Sequence, residues 1–206
     1  ALMANIGYVC YKKGAYDKAL HCYKKSHILY ERLNHKLGTS HIISQIGLVH
    51  YNKGAYDKAL DCYKKSLSII EKIGDKVNIS SIISNIGLVH WNKGAYDKAL
   101  DCYKKSLSIR EKISDKYGIA FCLSNMGNVY SDKGAYDKAM DCYKKSLSIR
   151  EKIGDKDGIG TSLAHIGIAY SDKGAYDMAL DYLERSYIID KKVGSKYGMC
   201  SSLLHI

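Results

Sequence analysis

The tetrapeptide Gly-Ala-Tyr-Asp begins at Gly14, Gly54, Gly94, Gly134 and Gly174, forty residues apart each time. A fixed period of this size means stacked copies of one supersecondary unit, none of which buries its apolar face alone. The copy at 76–113 shows what the unit is. In its first half, Ile79, Ile82, Ile83, Ile86 and Val89 recur at helical spacing and form one apolar stripe. In its second half, Tyr96, Ala99, Leu100, Cys102, Tyr103, Leu107 and Ile109 form a wider stripe, as expected of a helix wedged between two neighbours. Nothing alternates with period two, so a strand reading fails. The spacing predicts a helix-turn-helix unit repeated about every forty residues. The units run about 1–35, 36–75, 76–115, 116–155 and 156–195, with 196–206 a partial sixth.

The unit boundaries carry helix-ending and helix-starting chemistry. Gly94 follows a first helix, where a left-handed residue is needed, and Asp97 stands in the next first turn, where negative charge suits the helix dipole. Gly74 and Gly154 end second helices, with Asn34 at the matching place in the first unit. Asp75, Asp115, Asp155 and Ser195 then stand as N-caps of the following helices. Proline is absent, which suits helices joined by short turns. Gly7, Gly47, Gly87, Gly127 and Gly167 fall inside first helices, where glycine costs about 1 kcal/mol against alanine. The expected compensation is close approach of the partner helix at Ala19, Ala59, Ala99, Ala139 and Ala179.

These residues resemble the tetratricopeptide repeat. The family pattern reads here as Ile86-Gly87, His90, Tyr96, Ala99 and Tyr103, and the resemblance covers essentially the whole chain. It departs from the family in length, with forty residues rather than the usual 34. Glu71, Glu111 and Glu151 stand where the family places a helix-ending proline, so the second helix is expected to be longer. The long repeat is similar to that of cell-polarity scaffolds, kinesin light chains, bacterial peptide-responsive regulators and bacterial caspase-like (CHAT) proteins. The resemblance implies an all-α solenoid of stacked units in a right-handed superhelix, working as a protein- or peptide-binding scaffold and not as an enzyme. Residue 1 falls inside a first helix and Ile206 stops one place before the next repeat glycine, without the polar capping helices that solenoids need. The expectation is one array cut from a longer protein.

In the resembled family the first helices line the concave face, so the ligand residues are expected on the side opposite the core stripe. In the copy at 76–113 these are Ser81, Ser84, Asn85, Leu88, Trp91 and Asn92. Two places before each repeat glycine come Asn5, Gln45, Asn85, Asn125 and His165. One place after come Tyr8, Leu48, Leu88, Asn128 and Ile168, and four places after come Tyr11, Tyr51, Trp91, Ser131 and Ser171. Five places after, Lys12, Asn52, Asn92, Asp132 and Asp172 run from basic to acidic, and six places before stand His41 and Phe121. These positions vary while the second helices are nearly copied, which separates a free surface from a structural demand. Leu48, Tyr51, Leu88 and Trp91 are expected to form an exposed apolar floor. The amides each offer a donor and an acceptor, matching a peptide group. The resemblance implies an extended peptide held along them. The family's lysine and arginine clamp for a C-terminal carboxylate is missing.

Several other functions find little support. No apolar run is long enough to span a bilayer and no signal peptide is visible, so a cytoplasmic protein is expected. The cysteines at 22, 62, 102 and 142 lie one repeat apart, roughly 10 Å at helix-packing distances, too far for a disulfide. His50 and His90 are equally separated, so no metal site is expected, and Gly158-x-Gly160 follows no strand, so no nucleotide cofactor is expected either. No catalytic constellation is recognisable. The net charge of +11 keeps a nucleic-acid-binding solenoid open, but Asp61, Glu71 and Asp75 interleave with Lys58, Lys64, Lys65 and Lys72, as on a solvated face. A third reading is the sensor array of a larger enzyme. The oligomeric state is left open.

Overall fold

The computed structural model describes residues 2–204, apart from the side chains of Tyr197 and Ser201. Residues 1, 205 and 206, which the sequence assigns to the ends of the array, lie outside it. Eleven helices and no strand occur among the described residues. First helices are α1 (Leu2–Lys12), α3 (Lys36–Asn52), α5 (Lys76–Asn92), α7 (Lys116–Asp132), α9 (Lys156–Asp172) and α11 (Lys196–Leu203). Second helices are α2 (Tyr16–Arg32), α4 (Tyr56–Glu71), α6 (Tyr96–Lys112), α8 (Tyr136–Ile153) and α10 (Tyr176–Val193). These are the five hairpins and the trailing first helix expected from the period. They fall into two compact units, residues 1–109 and 110–206.

The turns follow the glycine pattern. Gly14, Gly54, Gly94, Gly134 and Gly174 have φ of 71–75°, the left-handed region that glycine enters without a Cβ penalty. Where second helices end, Gly74, Gly154 and Gly194 do the same, and Asn34 (φ 50°) and Ser114 (φ 57°) take that place in the other two units. The side chains of Asp75, Asp115, Asp155 and Ser195 accept the backbone N–H three residues on, as N-caps do. His35, not foreseen, caps α3 in the same way through Nδ1, which accepts from the Gly38 N–H at 2.9 Å.

In the first unit, consecutive helices pack from α1 through α5. One core gathers Ala19, Tyr23, Ile42 and Val49, and the next gathers Ala59, Leu60, Tyr63, Ile70, Ile82, Ile86 and Val89. In the second unit, α7 through α11 pack likewise, around Ala139, Met140, Tyr143, Ile166 and Ala169. The mid-helix glycines do admit the partner helix, but the alanines are not what approaches. A Cβ on Gly7 would stand 2.7 Å from the Tyr23 ring, and one on Gly87 would stand 3.1 Å from both Cys102 Cβ and Tyr103 Cε1. At Gly167 the nearest atoms are Leu183 Cγ at 2.8 Å and the Ala179 carbonyl oxygen at 3.1 Å. Buried tyrosine rings (Tyr23, Tyr63, Tyr103 and Tyr143) stand where a side chain at Gly7, Gly47, Gly87 or Gly127 would go, and Leu183 does so at Gly167.

A serine column also runs through the interior. Ser66, Ser106, Ser146 and Ser186 each donate from Oγ to a first-helix carbonyl of their own hairpin, at Ser40, Ser80, Ala120 and Gly160, over 2.7–2.9 Å. Ser84, assigned by the sequence to the ligand face, is 3% exposed and donates to the Ser106 hydroxyl at 2.8 Å. That position is corrected: the hydroxyl is small enough to be buried and finds its partner across the hairpin. Arg110 and Arg150 are buried as well, held by Asp115 at 2.5 Å and Asp155 at 3.5 Å. Each fills space that a side chain at Gly118 or Gly158 would occupy. Gly158 and Gly160 thus have structural work in α9: the first accommodates Arg150 and the second the buried Asp190.

Candidate functional site

The first-helix face of residues 1–109 is stitched together by polar side chains. Asn52 Nδ2 donates to the Tyr11 hydroxyl at 2.9 Å, linking α3 to α1. Asn92 Nδ2 donates to the Tyr51 hydroxyl at 2.9 Å, linking α5 to α3. Each amide also donates to the carbonyl four residues back, at Leu48 and Leu88. At the turns, Lys53 reaches Asp17 at 2.6 Å and Lys93 pairs with Asp57, each joining one unit to the preceding second helix. Tyr11, Tyr51, Asn52 and Asn92 therefore bind one another, and ligand contacts would use what their hydrogen bonding leaves.

A cavity of about 240 Å³ opens between α1 and α3. Asn5 and Tyr8 line it from α1, and His41 and Gln45 from α3. Ala4, Ile42 and the Tyr23 ring complete its wall. Asn5, Tyr8 and His41 are exposed and Gln45 is half-buried, so polar groups and an open aromatic face meet over an apolar floor. The Lys12 ammonium lies 6.0 Å from the centroid of the Tyr8 ring. Burial pushes the Tyr23 phenol up to about 12, so it stays protonated across the physiological range. Tyr23 was not assigned to the site from sequence. Its signal was Gly7, whose missing side chain gives the ring its place.

The expected apolar floor further along is less open than the spacing implies. Leu48, Tyr51, Leu88 and Trp91 are all half-buried, not exposed, which corrects that expectation. The physical reason is neighbouring packing: Tyr51 lies against the core that holds Val89, with its ring 5.8 Å from that of Tyr56. Asn85 is also half-buried.

In residues 110–206 the same positions carry different chemistry. Phe121 is 42% exposed, and Asp132 and Asp172 are exposed. Asn125 and Ile168 are half-buried. Asn128 is engaged, its Oδ1 accepting from the Tyr143 hydroxyl at 2.8 Å. His165 departs most from expectation. Its ring packs 5.0 Å from that of Tyr143, and its Nδ1 is buried with no hydrogen-bond partner. Burial, and then the Arg150 charge, push it down to about 4. It is half-buried, as Gln45 is, but it packs on Tyr143 as a neutral group.

The repeat geometry agrees with the comparisons. The tetratricopeptide repeat model matches residues 1–72, 78–152 and 119–192. This chain belongs to the tetratricopeptide repeat family. No curated protein matches the sequence. Among solved structures, BtubC (BKLC) from P. vanneervenii is similar at TM-score 0.82 and 18% identity, over 94% of this chain and 80% of that one. A Rap protein complexed with Competence and Sporulation Factor is similar at TM-score 0.86 and 16% identity, over 97% of this chain and 56% of that one. A signal transduction ATPase with numerous domains from Pyrococcus horikoshii, with a tetratricopeptide repeat sensor, is similar at TM-score 0.82 and 21% identity. It is covered over 32% of its length against 98% of this chain. At these identities the likeness is one of fold. Among the described residues, no helix is long and apolar enough to cross a membrane.

Proposed function

We propose that this tetratricopeptide repeat protein binds a protein or an extended peptide across its first helices and carries out no reaction itself. The observation that carries this reading is the convergence of Asn5, Tyr8, His41 and Gln45 on one cavity between α1 and α3. A peptide backbone needs a donor and an acceptor within reach of each other, and a side-chain amide supplies both. With neighbouring first helices roughly 10 Å apart, an extended segment advances about three residues per unit, at roughly 3.4 Å each. The fold supports the reading too, since a Rap protein of similar fold is found complexed with Competence and Sporulation Factor.

The charges suggest what such a segment carries. Lys12 suits an acidic side chain over residues 1–109, while Asp132 and Asp172 suit basic ones over residues 110–206. Half-buried Trp91 and Leu88 offer an anchor for a bulky apolar side chain. Capture of a random peptide library on the immobilised chain tests the reading. Retained peptides should share an apolar anchor. Retention that followed polyanions alone and vanished with added salt would instead favour nucleic acid.

A second reading has its own support. The Pyrococcus horikoshii ATPase carries a repeat array of similar fold as a sensor, so the same surface in this chain could regulate an attached enzyme. The binding chemistry is the same in both readings. They differ in whether occupancy changes an activity elsewhere in the parent polypeptide.

A further inference from the structure

A cavity of about 350 Å³ opens where α2 ends, α3 begins and α4 ends. It shares no residue with the cavity between α1 and α3. Glu31 and Asn34 line it from the end of α2, Lys36 and Thr39 from the start of α3, and Ile69 and Lys72 from the end of α4. Sites for small molecules begin at about 300 Å³, so one such molecule fits. The repeat shows which lining residues the fold itself calls for. Glu31, Lys36, Ile69 and Lys72 recur one period later as Glu71, Lys76, Ile109 and Lys112. Asn34 and Thr39 do not, for the next copy has Gly74 and Ile79, and Ile119 and Ile159 keep the isoleucine. Asn34 adds an amide where the next copy has no side chain. Thr39 is smaller than the isoleucine it replaces.

Two more departures change the charge beside the cavity. Asp75, Asp115 and Asp155 cap the next three first helices with a carboxylate, whereas His35 caps α3 with an imidazole. Leu67, Leu107 and Leu147 stand where the first copy has His27, whose Nε2 lies 3.6 Å from the Glu31 carboxylate. One period on, the equivalent lysines Lys76 and Lys112 are matched in sequence by Glu71 and Asp75. Here Glu31 is the one acidic lining residue against Lys36 and Lys72, and it lies against His27. The Gly38 N–H at the start of α3 is taken by His35, so side chains and not the helix end supply the donors.

We infer that this cavity binds the phosphate monoester of a small organic molecule. Such a group carries close to two negative charges at neutral pH and three acceptor oxygens. The Lys36 and Lys72 ammonium groups match the charge, and the Asn34 amide adds a donor. Thr39, whose hydroxyl donates to the His35 carbonyl at 3.2 Å, leaves room that an isoleucine would fill. Half-buried Ile69 packs against the carbon skeleton of the ester. A carboxylate brings a single charge and leaves part of this set unused. The site is independent of ligand binding across the first helices.

The test is calorimetric titration of the whole chain with phenyl phosphate, inorganic phosphate and benzoate at fixed ionic strength. Phenyl phosphate should bind saturably and one-to-one, with Kd below about 1 mM. Inorganic phosphate, which lacks the contact with Ile69, and benzoate, which lacks the second charge, should each bind at least fivefold more weakly. The double variant Asn34→Gly with Thr39→Ile restores the residues of the next copy without changing any charge. It should lose at least tenfold in affinity with unchanged helicity by circular dichroism. Lys36→Gln should lose at least fivefold, and Lys64→Gln, on an exposed position of α4 outside the cavity, less than twofold. No saturable binding of phenyl phosphate at 10 mM would overturn the inference. So would full affinity in the double variant, or equal losses in the two lysine variants, because the anion would then answer to diffuse surface charge. Inorganic phosphate or benzoate binding as tightly would overturn the assignment to a phosphate monoester.

Discussion

The Asn52 amide holds the Tyr11 hydroxyl at 2.9 Å while also donating to the Leu48 carbonyl at 2.9 Å, so one side chain ties α3 to α1 and braces its own helix. Asn92 repeats this with Tyr51 and Leu88. A neutral hydrogen bond of this kind contributes about 1 kcal/mol net. Tyr51→Phe and Asn92→Ala are each expected to lower stability by about that amount. Urea denaturation of the singles and the double should give a coupling of about 0.5–1.5 kcal/mol. Strictly additive singles would show that the contact is incidental.

Gly87 admits the second helix where the Tyr103 ring and Cys102 lie 3.1 Å from a hypothetical Cβ. Gly87→Leu adds four carbons to that contact, and overpacking of this size costs about 1–3 kcal/mol or more. The melting temperature should fall by several degrees. Gly87→Ala should be far milder, because alanine regains about 1 kcal/mol of helix propensity. An unchanged melting temperature for the leucine variant would refute the packing.

The fold was legible because its signals are repeated and local. Five glycine-led turns, the Asp and Ser caps and two helical stripes each specify the same hairpin. The site was legible only in part. Of the column positions, Asn5, Tyr8, His41 and Gln45 come together at one cavity. The columns fail for Ser84 and mislead for His165, because helical spacing tells which way a residue points on its own helix and not how near the neighbouring helix comes. Ser84 faces Ser106 across the hairpin and His165 faces Tyr143. The buried arginines were hidden for a related reason. Tyr30, Ile70, Arg110, Arg150 and Asp190 occupy one repeat position. Only contacts with Gly38, Gly118, Gly158 and Gly198 show how its bulkier or charged members fit.

His165 should make stability depend on pH. Burial holds its folded value near 4, against an ordinary 6.5 when unfolded, so the unfolded chain takes up the proton first. Its contribution is present above pH 6.5 and is lost as pH falls toward 4. Between pH 7 and 4.5 that amounts to about 2–3 kcal/mol. His165→Phe should remove this part of the pH dependence, leaving whatever other groups contribute. Parallel stability curves for the two proteins across that window would contradict the burial of the ring.

Trp91 is the only tryptophan and is half-buried, so its emission should lie between that of exposed and core indole, with partial quenching by iodide. A captured ligand should shift the emission to the blue and reduce quenching. Trp91→Ala should weaken binding by about 2 kcal/mol if the indole is an anchor. No spectral change on binding would remove Trp91 from the contact surface.

The most direct test compares two faces of the molecule with one library-selected peptide. Asn5→Ala, His41→Ala and Gln45→Ala alter the cavity between α1 and α3, whereas Lys64→Ala and Lys65→Ala alter exposed positions of α4 outside it. Calorimetry at fixed ionic strength should show the cavity triple variant losing at least tenfold in affinity and the α4 double variant less than twofold. Equal losses in both, or a loss confined to the lysine variant, would contradict ligand binding on the first-helix face.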